Sequence, residues 1–150
     1  EARYKYAPAT GLNQSFWIMT LPNYGSAADV NNDFYGYELD INEGHYPNTI
    51  NMTLHTAAGE KGEAVSYGKA YRSNEDLSND FHSYGVDWNE EYIAFYFDGT
   101  EINRVPTYTA HQPSSPWFST AILNWAGRVD DSADGTSMDV DYVRLYQEVK

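Results

Sequence analysis

The stretch Glu38-Leu39-Asp40-Ile41-Asn42-Glu43 decides the fold and frames the chemistry. Read as a strand, it sends successive side chains to opposite faces. Leu39 and Ile41 point together into a core, and Glu38 and Asp40 point together the other way. Glu43 breaks the alternation, since strict counting puts it on the apolar face, where a lone carboxylate is costly. Two arrangements avoid that cost. The strand ends at Asn42, or a β-bulge near Ile41–Asn42 adds a residue and returns Glu43 to the acid face.

Around this stretch the chain reads as strands. Runs at Ala2–Tyr6, Ser15–Thr20, Tyr35–Asn42, Thr49–His55, Phe81–Trp88, Tyr92–Phe97, Ile102–Val105, Trp117–Asn124 and Met138–Gln147 alternate apolar and polar residues. Turn residues separate most of them, with Asp98-Gly99 the clearest hairpin signal. Helical periodicity is nearly absent, which predicts an all-β sandwich or barrel. The polar stretch Gly59–Asp80 is expected to be a long loop with at most one short strand near Val65–Lys69. There is no internal repeat and no linker, so 1–150 is expected to be one domain.

Composition narrows the function. The chain has 150 residues, a net charge of −13 and nine scattered Lys and Arg. Nucleic acid is excluded, because phosphate binding needs clustered cations. No run approaches the ~18–20 apolar residues of a membrane span. There is no Cys, hence no disulfide and no thiolate metal site. Aromatics make up 16%, with 14 Tyr and 4 Trp, more than a core alone needs. Flat rings with polar tips suit both packing and stacking on sugars.

With the bulge, three carboxyls line one face of one strand. Retaining glycoside hydrolysis uses such a set: a nucleophilic carboxylate and a protonated acid ~5–5.5 Å apart. A third carboxylate between them raises its neighbours' pKa values. Solvated acidic edges and calcium ligands use the same residue types, so the motif alone leaves these readings open.

The chain resembles glycoside hydrolase family 16, the laminarinase, lichenase, agarase and carrageenase group. Glu38-Leu39-Asp40-Ile41-Asn42-Glu43 matches the bulged form of its Glu-x-Asp-x-x-Glu signature. Glu1-Ala2-Arg3-Tyr4, Phe16-Trp17-Ile18-Met19, Asn51-Met52-Thr53-Leu54-His55, Phe81–Trp88, Phe95-Tyr96-Phe97-Asp98-Gly99, Leu123-Asn124 and Val140–Tyr146 resemble family strands in the family's order.

The resemblance implies a jelly-roll β-sandwich with a concave substrate cleft. It also implies a secreted endo-hydrolase of a β-linked polysaccharide, with Glu38 as nucleophile, Glu43 as acid/base and Asp40 tuning both. A non-catalytic sugar-binding module on the same sandwich is the alternative. A neutral β-glucan suits the negative charge, and an algal galactan suits the Tyr and Trp richness. For substrate contact the candidates are Trp17, His55, Asn124, Trp125, His45 and Tyr46. Asn124 and Trp125 alternate, so one of them is expected in the cleft, and the family pattern favours Asn124.

No cofactor is required for the chemistry. A structural calcium on the convex side, held by Asp141, is a further implication of the resemblance. The family's strands before "EAR" have no counterpart here. A preceding segment of a larger domain, or a second chain, is expected to complete the sandwich. Asn13-Gln14-Ser15 and Asn51-Met52-Thr53 have the spacing of glycosylation acceptors.

Overall fold

The computed structural model describes residues 1–20, 36–57, 64–108 and 110–147. Among them the chain forms ten strands: β1 Ala2–Lys5, β2 Leu12–Met19, β3 Glu38–His45, β4 Thr49–Ala57, β5 Ala64–Arg72, β6 His82–Trp88, β7 Tyr92–Phe97, β8 Thr100–Pro106, β9 Ser115–Ile122 and β10 Asp139–Val143. They pair antiparallel into two sheets, in the orders β10-β1-β6-β7-β8 and β5-β4-β3-β2-β9. This is the sandwich expected from the alternation of the runs.

The inward residues of both sheets meet in one core. Tyr4, Tyr84, Ile93 and Phe95 come from the β1 sheet. Phe16, Leu39, Ile41, Ile50, Met52 and Leu54 come from the β3 sheet. The Tyr4 and Tyr84 rings sit 4.3 Å apart, with Tyr6 stacked on Tyr84 at 5.9 Å. Rings in such contact contribute about 0.5–1.5 kcal/mol per pair beyond their buried area. Asp98 and Gly99 both take positive φ, which makes the β7–β8 connection the two-residue turn expected there.

Three expectations need correction. β3 does not end at Asn42 but continues to His45. The stretch expected to be mostly loop contains a nine-residue strand, β5, paired with β4 over its whole length. Polar composition misled here because an edge strand needs apolar residues only at alternate positions; Val65, Tyr67 and Tyr71 supply them. Residues 59–63 and Tyr35 lie outside the described residues. The late strand stops at Ile122, and Asn124–Ala126 form a 3-10 turn.

Candidate active site

The bulge is the local event that builds the site. Along β4, Asn51 faces Glu43 and Thr53 faces Asp40, so Ile41 and Asn42 together oppose Met52. On the other side Phe16 faces Asn42 and Trp17 faces Asp40, which leaves Ile41 as the extra residue. Both Ile41 and Asn42 are buried on the core side. Asn42 is held there by Nδ2, which donates to Tyr4 Oη at 2.6 Å and Tyr6 Oη at 2.7 Å. With two residues turned inward, Glu43 returns to the face of Glu38 and Asp40. Gly44 is required next, since a Cβ there would lie 2.3 Å from the Tyr6 ring.

Register then sets what surrounds each acid. Glu38 lies in a row with His55 and Ser66 on one side and Met19 and Ser115 on the other. Asp40 lies with Thr53 and Gly68, and with Trp17 and Trp117. Glu43 lies with Asn51 and Ala70, and with Ser15 and Ser119. His45 is opposite Thr49, which faces Arg72. The face is thus small and polar toward β5 and aromatic toward β9. The Trp17 and Trp117 rings stack at 6.1 Å, with Trp17 Nε1 donating to Ser119 Oγ.

No Lys or Arg among the described residues forms an ion pair with these three acids. Burial first, then Asp40 and Glu38, push the Glu43 carboxyl up to about 7, against a lowering hydrogen bond from Asn13. Glu38 is also raised, by burial and then by Asp40. Asp40 is buried, and its Oδ2 has His55 Nε2 at 3.3 Å without a well-aligned hydrogen bond. His55 is raised, chiefly by Asp40, and its Nδ1 contacts Ser66 Oγ at 2.6 Å. A group of acids that keeps one proton at neutral pH can give that proton to a leaving group while a neighbour stays charged.

A model of the family described as glycosyl hydrolases family 16 matches residues 1–144. The chain belongs to glycosyl hydrolase family 16. No curated protein sequence matches it. Among solved structures, a non-specific endo-β-1,3(4)-glucanase of family 16 is 29% identical, with a TM-score of 0.77 over 97% of this chain and 56% of that one. A laminarinase from Flavobacterium sp. UMI-01 is 25% identical, with a TM-score of 0.77 over 97% and 65%. The κ-carrageenase from Zobellia galactanivorans is 27% identical, with a TM-score of 0.63 over 81% and 50%. The chain therefore spans about half to two-thirds of the length of these structures.

Within this family 16 sandwich, Glu38, Asp40, Glu43, Trp17, His55 and His45 come together on one face. Trp125 joins them from the 3-10 turn, its ring 4.3 Å from that of His45. Asn124 is exposed on the same turn. Alternation failed at this pair because the strand had already ended. Tyr46 is half-buried just beyond β3.

Asp141 lies on the other sheet, where Arg3 Nη1 meets its Oδ2 at 2.6 Å. Calcium takes ~6–8 oxygen ligands, and no cluster of three metal-ligating side chains among the described residues includes Asp141. Among the described residues its carboxylate is instead engaged by Arg3. Glu38, Asp40 and His55 do cluster, with one ligand atom from each within 4.8 Å of the others. Two carboxylates and an imidazole also fall short of a calcium shell.

Asn13, Ser15 and Trp117 were missing from the sequence-based candidates. Asn13 and Ser15 precede Trp17 at steps of two, which puts all three on one strand face. Asn13 is only 4% exposed, so its acceptor spacing does not make it a glycan site. Among the described residues no helix is long and apolar enough to cross a membrane.

Proposed function

We propose that this chain carries the active site of an endo-acting, retaining hydrolase of a β-linked polysaccharide. The observation that carries the reading is the Glu38, Asp40 and Glu43 set on the bulged β3, with no Lys or Arg among the described residues paired to it, His55 beside Asp40, and the Glu43 carboxyl pushed up to about 7. Glu43 gives its proton to the glycosidic oxygen as the bond from C1 to that oxygen breaks. Glu38 bonds to C1, and the leaving sugar departs as an alcohol. Glu43 then takes a proton from water, which attacks C1 and releases Glu38. Two inversions at C1 retain the β configuration. Burial, and then the charge of Asp40, keep Glu43 protonated, and His55 balances the cluster.

Trp17 and Trp117 offer ring faces for stacking on sugars beside the acids. Polar side chains such as Ser119, Thr53 and Ser66 suit hydroxyl-bearing chains, and an acidic face suits a neutral polymer. A β-glucan is therefore the first substrate class and an algal galactan the second. A polymer too large to enter a cell puts the working protein outside it.

The test is reducing-sugar release from laminarin, mixed-linkage glucan, agarose, porphyran and κ-carrageenan, with wild type and Glu38→Gln side by side. Release from one polymer that disappears in Glu38→Gln supports the hydrolase and names its substrate. No release by folded wild type from any polymer overturns it. A sugar-binding module is the second reading, favoured by the exposure of Trp117 (46%) and Trp125 (54%). Polymer retention equal in both proteins, with no release by either, would select it.

A further inference from the structure

Behind Glu43 lies a neutral hydrogen-bonded chain that the reaction as written does not use. Asn13 Nδ2 donates to Glu43 Oε1 at 2.8 Å and to Ser15 Oγ at 3.0 Å. Its Oδ1 meets His45 Nε2 at 3.0 Å. An amide oxygen only accepts, so His45 Nε2 carries the hydrogen. All three polar positions of the Asn13 amide are thereby engaged. The His45 ring is itself packed edge-on against Trp125. Asn13 and Ser15 are both buried, so the chain is locked from the β2 side.

This geometry bears on where a proton can sit on Glu43. A carboxyl oxygen that accepts a hydrogen bond is the carbonyl-like one, and the proton takes the other oxygen. We infer that Asn13, held by His45, is a positioning residue that keeps Glu43 Oε1 as an acceptor, so that Oε2 is the oxygen that carries and delivers the proton. The inference rests on the role proposed for Glu43. It makes Asn13 a restraint on the direction of the acid and a counterweight to its neighbours.

Among the described residues the groups facing Glu43 are few. Glu38 and Asp40 on its own strand raise it, and His55 of β4 lowers it. His45 lies two residues on, and burial holds that imidazole toward its neutral form. Asn51 of β4 donates to the Glu43 backbone carbonyl at 2.9 Å. On β2 the facing groups are Asn13 and Ser15, with Ser119 of β9 beyond. Asn13 is therefore the neutral donor that opposes burial and the two carboxylates.

The test is a 13C NMR titration of the Glu43 carboxyl in the full-length chain, comparing wild type, Asn13→Leu and His45→Phe. Asn13→Leu removes the donor at similar volume and is expected to raise the midpoint by about one pH unit. His45→Phe keeps the ring against Trp125 and is expected to raise it by less. In parallel, kcat/KM is measured on the polymer and on a dinitrophenyl β-glycoside, whose leaving group needs no proton. Asn13→Leu should lose roughly 10–100-fold on the polymer and less than about 3-fold on the dinitrophenyl substrate, with polymer KM unchanged.

A folded Asn13→Leu with an unmoved Glu43 midpoint, or with equal losses on both substrates, overturns the inference. If Asn13→Leu does not fold, His45→Phe decides by the same criteria. Glu43→Gln separates the two claims. If it cleaves the polymer as wild type does, the role of Glu43 fails, whatever the titration says of Asn13.

Discussion

The two sheets carry the same kind of residue on their outer faces and treat it in opposite ways. On the β1 sheet three acids are paired with Lys or Arg. Asp141 meets Arg3, Asp139 meets Lys5 at 3.3 Å, and Glu101 meets Arg104 at 2.6 Å. These groups are exposed or half-exposed, and hydrogen bonds from Ser137 and Arg104 hold Asp139 and Glu101 below their usual range. On the β3 sheet Glu38, Asp40 and Glu43 are buried or half-buried, and among the described residues no Lys or Arg pairs with them, His55 lying 3.3 Å from Asp40. Burial and mutual repulsion hold Glu38 and Glu43 above their usual range. An acidic chain thus says little by itself. The informative acids are those that the fold declines to neutralise, because a folded protein tolerates that cost where the site has a use for it.

The largest expected contrast between the faces is catalytic. Glu38→Gln should lose roughly 10⁴-fold or more in kcat on the polymer, as nucleophile removal does. Asp141→Asn should leave kcat unchanged. Steady-state rates on the same preparation check both, and equal losses would break the distinction between the sheets.

Glu43→Gln should cost roughly 10²–10⁴-fold. Wild-type activity should also fall as pH rises through about 7, where Glu43 loses its proton. The missing basic limb in a pH profile of Glu43→Gln would sharpen that assignment.

Stability separates the faces with a definite sign. The Glu43 carboxyl titrates higher folded than unfolded, so the folded state holds more protons between the two values. Its contribution therefore falls as pH rises from about 4.5 toward about 7. Glu43→Gln should be more stable than wild type at pH 8, by on the order of 1 kcal/mol for a half-buried group, and the gap should close near pH 4. Denaturant unfolding at both pH values measures it. Gly44→Ala should destabilise by about 1–3 kcal/mol, because its methyl group runs into the Tyr6 ring beneath Glu43. Arg3→Ala is the smallest effect, about 0–1 kcal/mol, since exposed ion pairs contribute little.

Much of this contrast was legible in the chain before any coordinates. Alternation put Glu38 and Asp40 on one face, and the cost of burying Glu43 left two arrangements, a strand end at Asn42 or a bulge, of which the register shows the bulge. What held the bulge was not legible. Asn42 finds Tyr4 and Tyr6 across the sandwich, 38 and 36 residues away. The same limit hid Asn13, whose partner Glu43 lies 30 residues on and is found only through the β2–β3 register. Trp125 escaped the alternation rule because its backbone had left the sheet for a 3-10 turn. Asp141 was expected at a metal, yet its nearest partner is Arg3 on a strand from the far end of the chain.

The central claim is that the acids of β3 hydrolyse with retention, through Glu38. Proton NMR of the anomeric signals in the first minutes of polymer cleavage tests it most directly. The account predicts that new reducing ends appear first as the β anomer and drift to the α–β mixture by mutarotation. Reducing ends that appear first as the α anomer would contradict it.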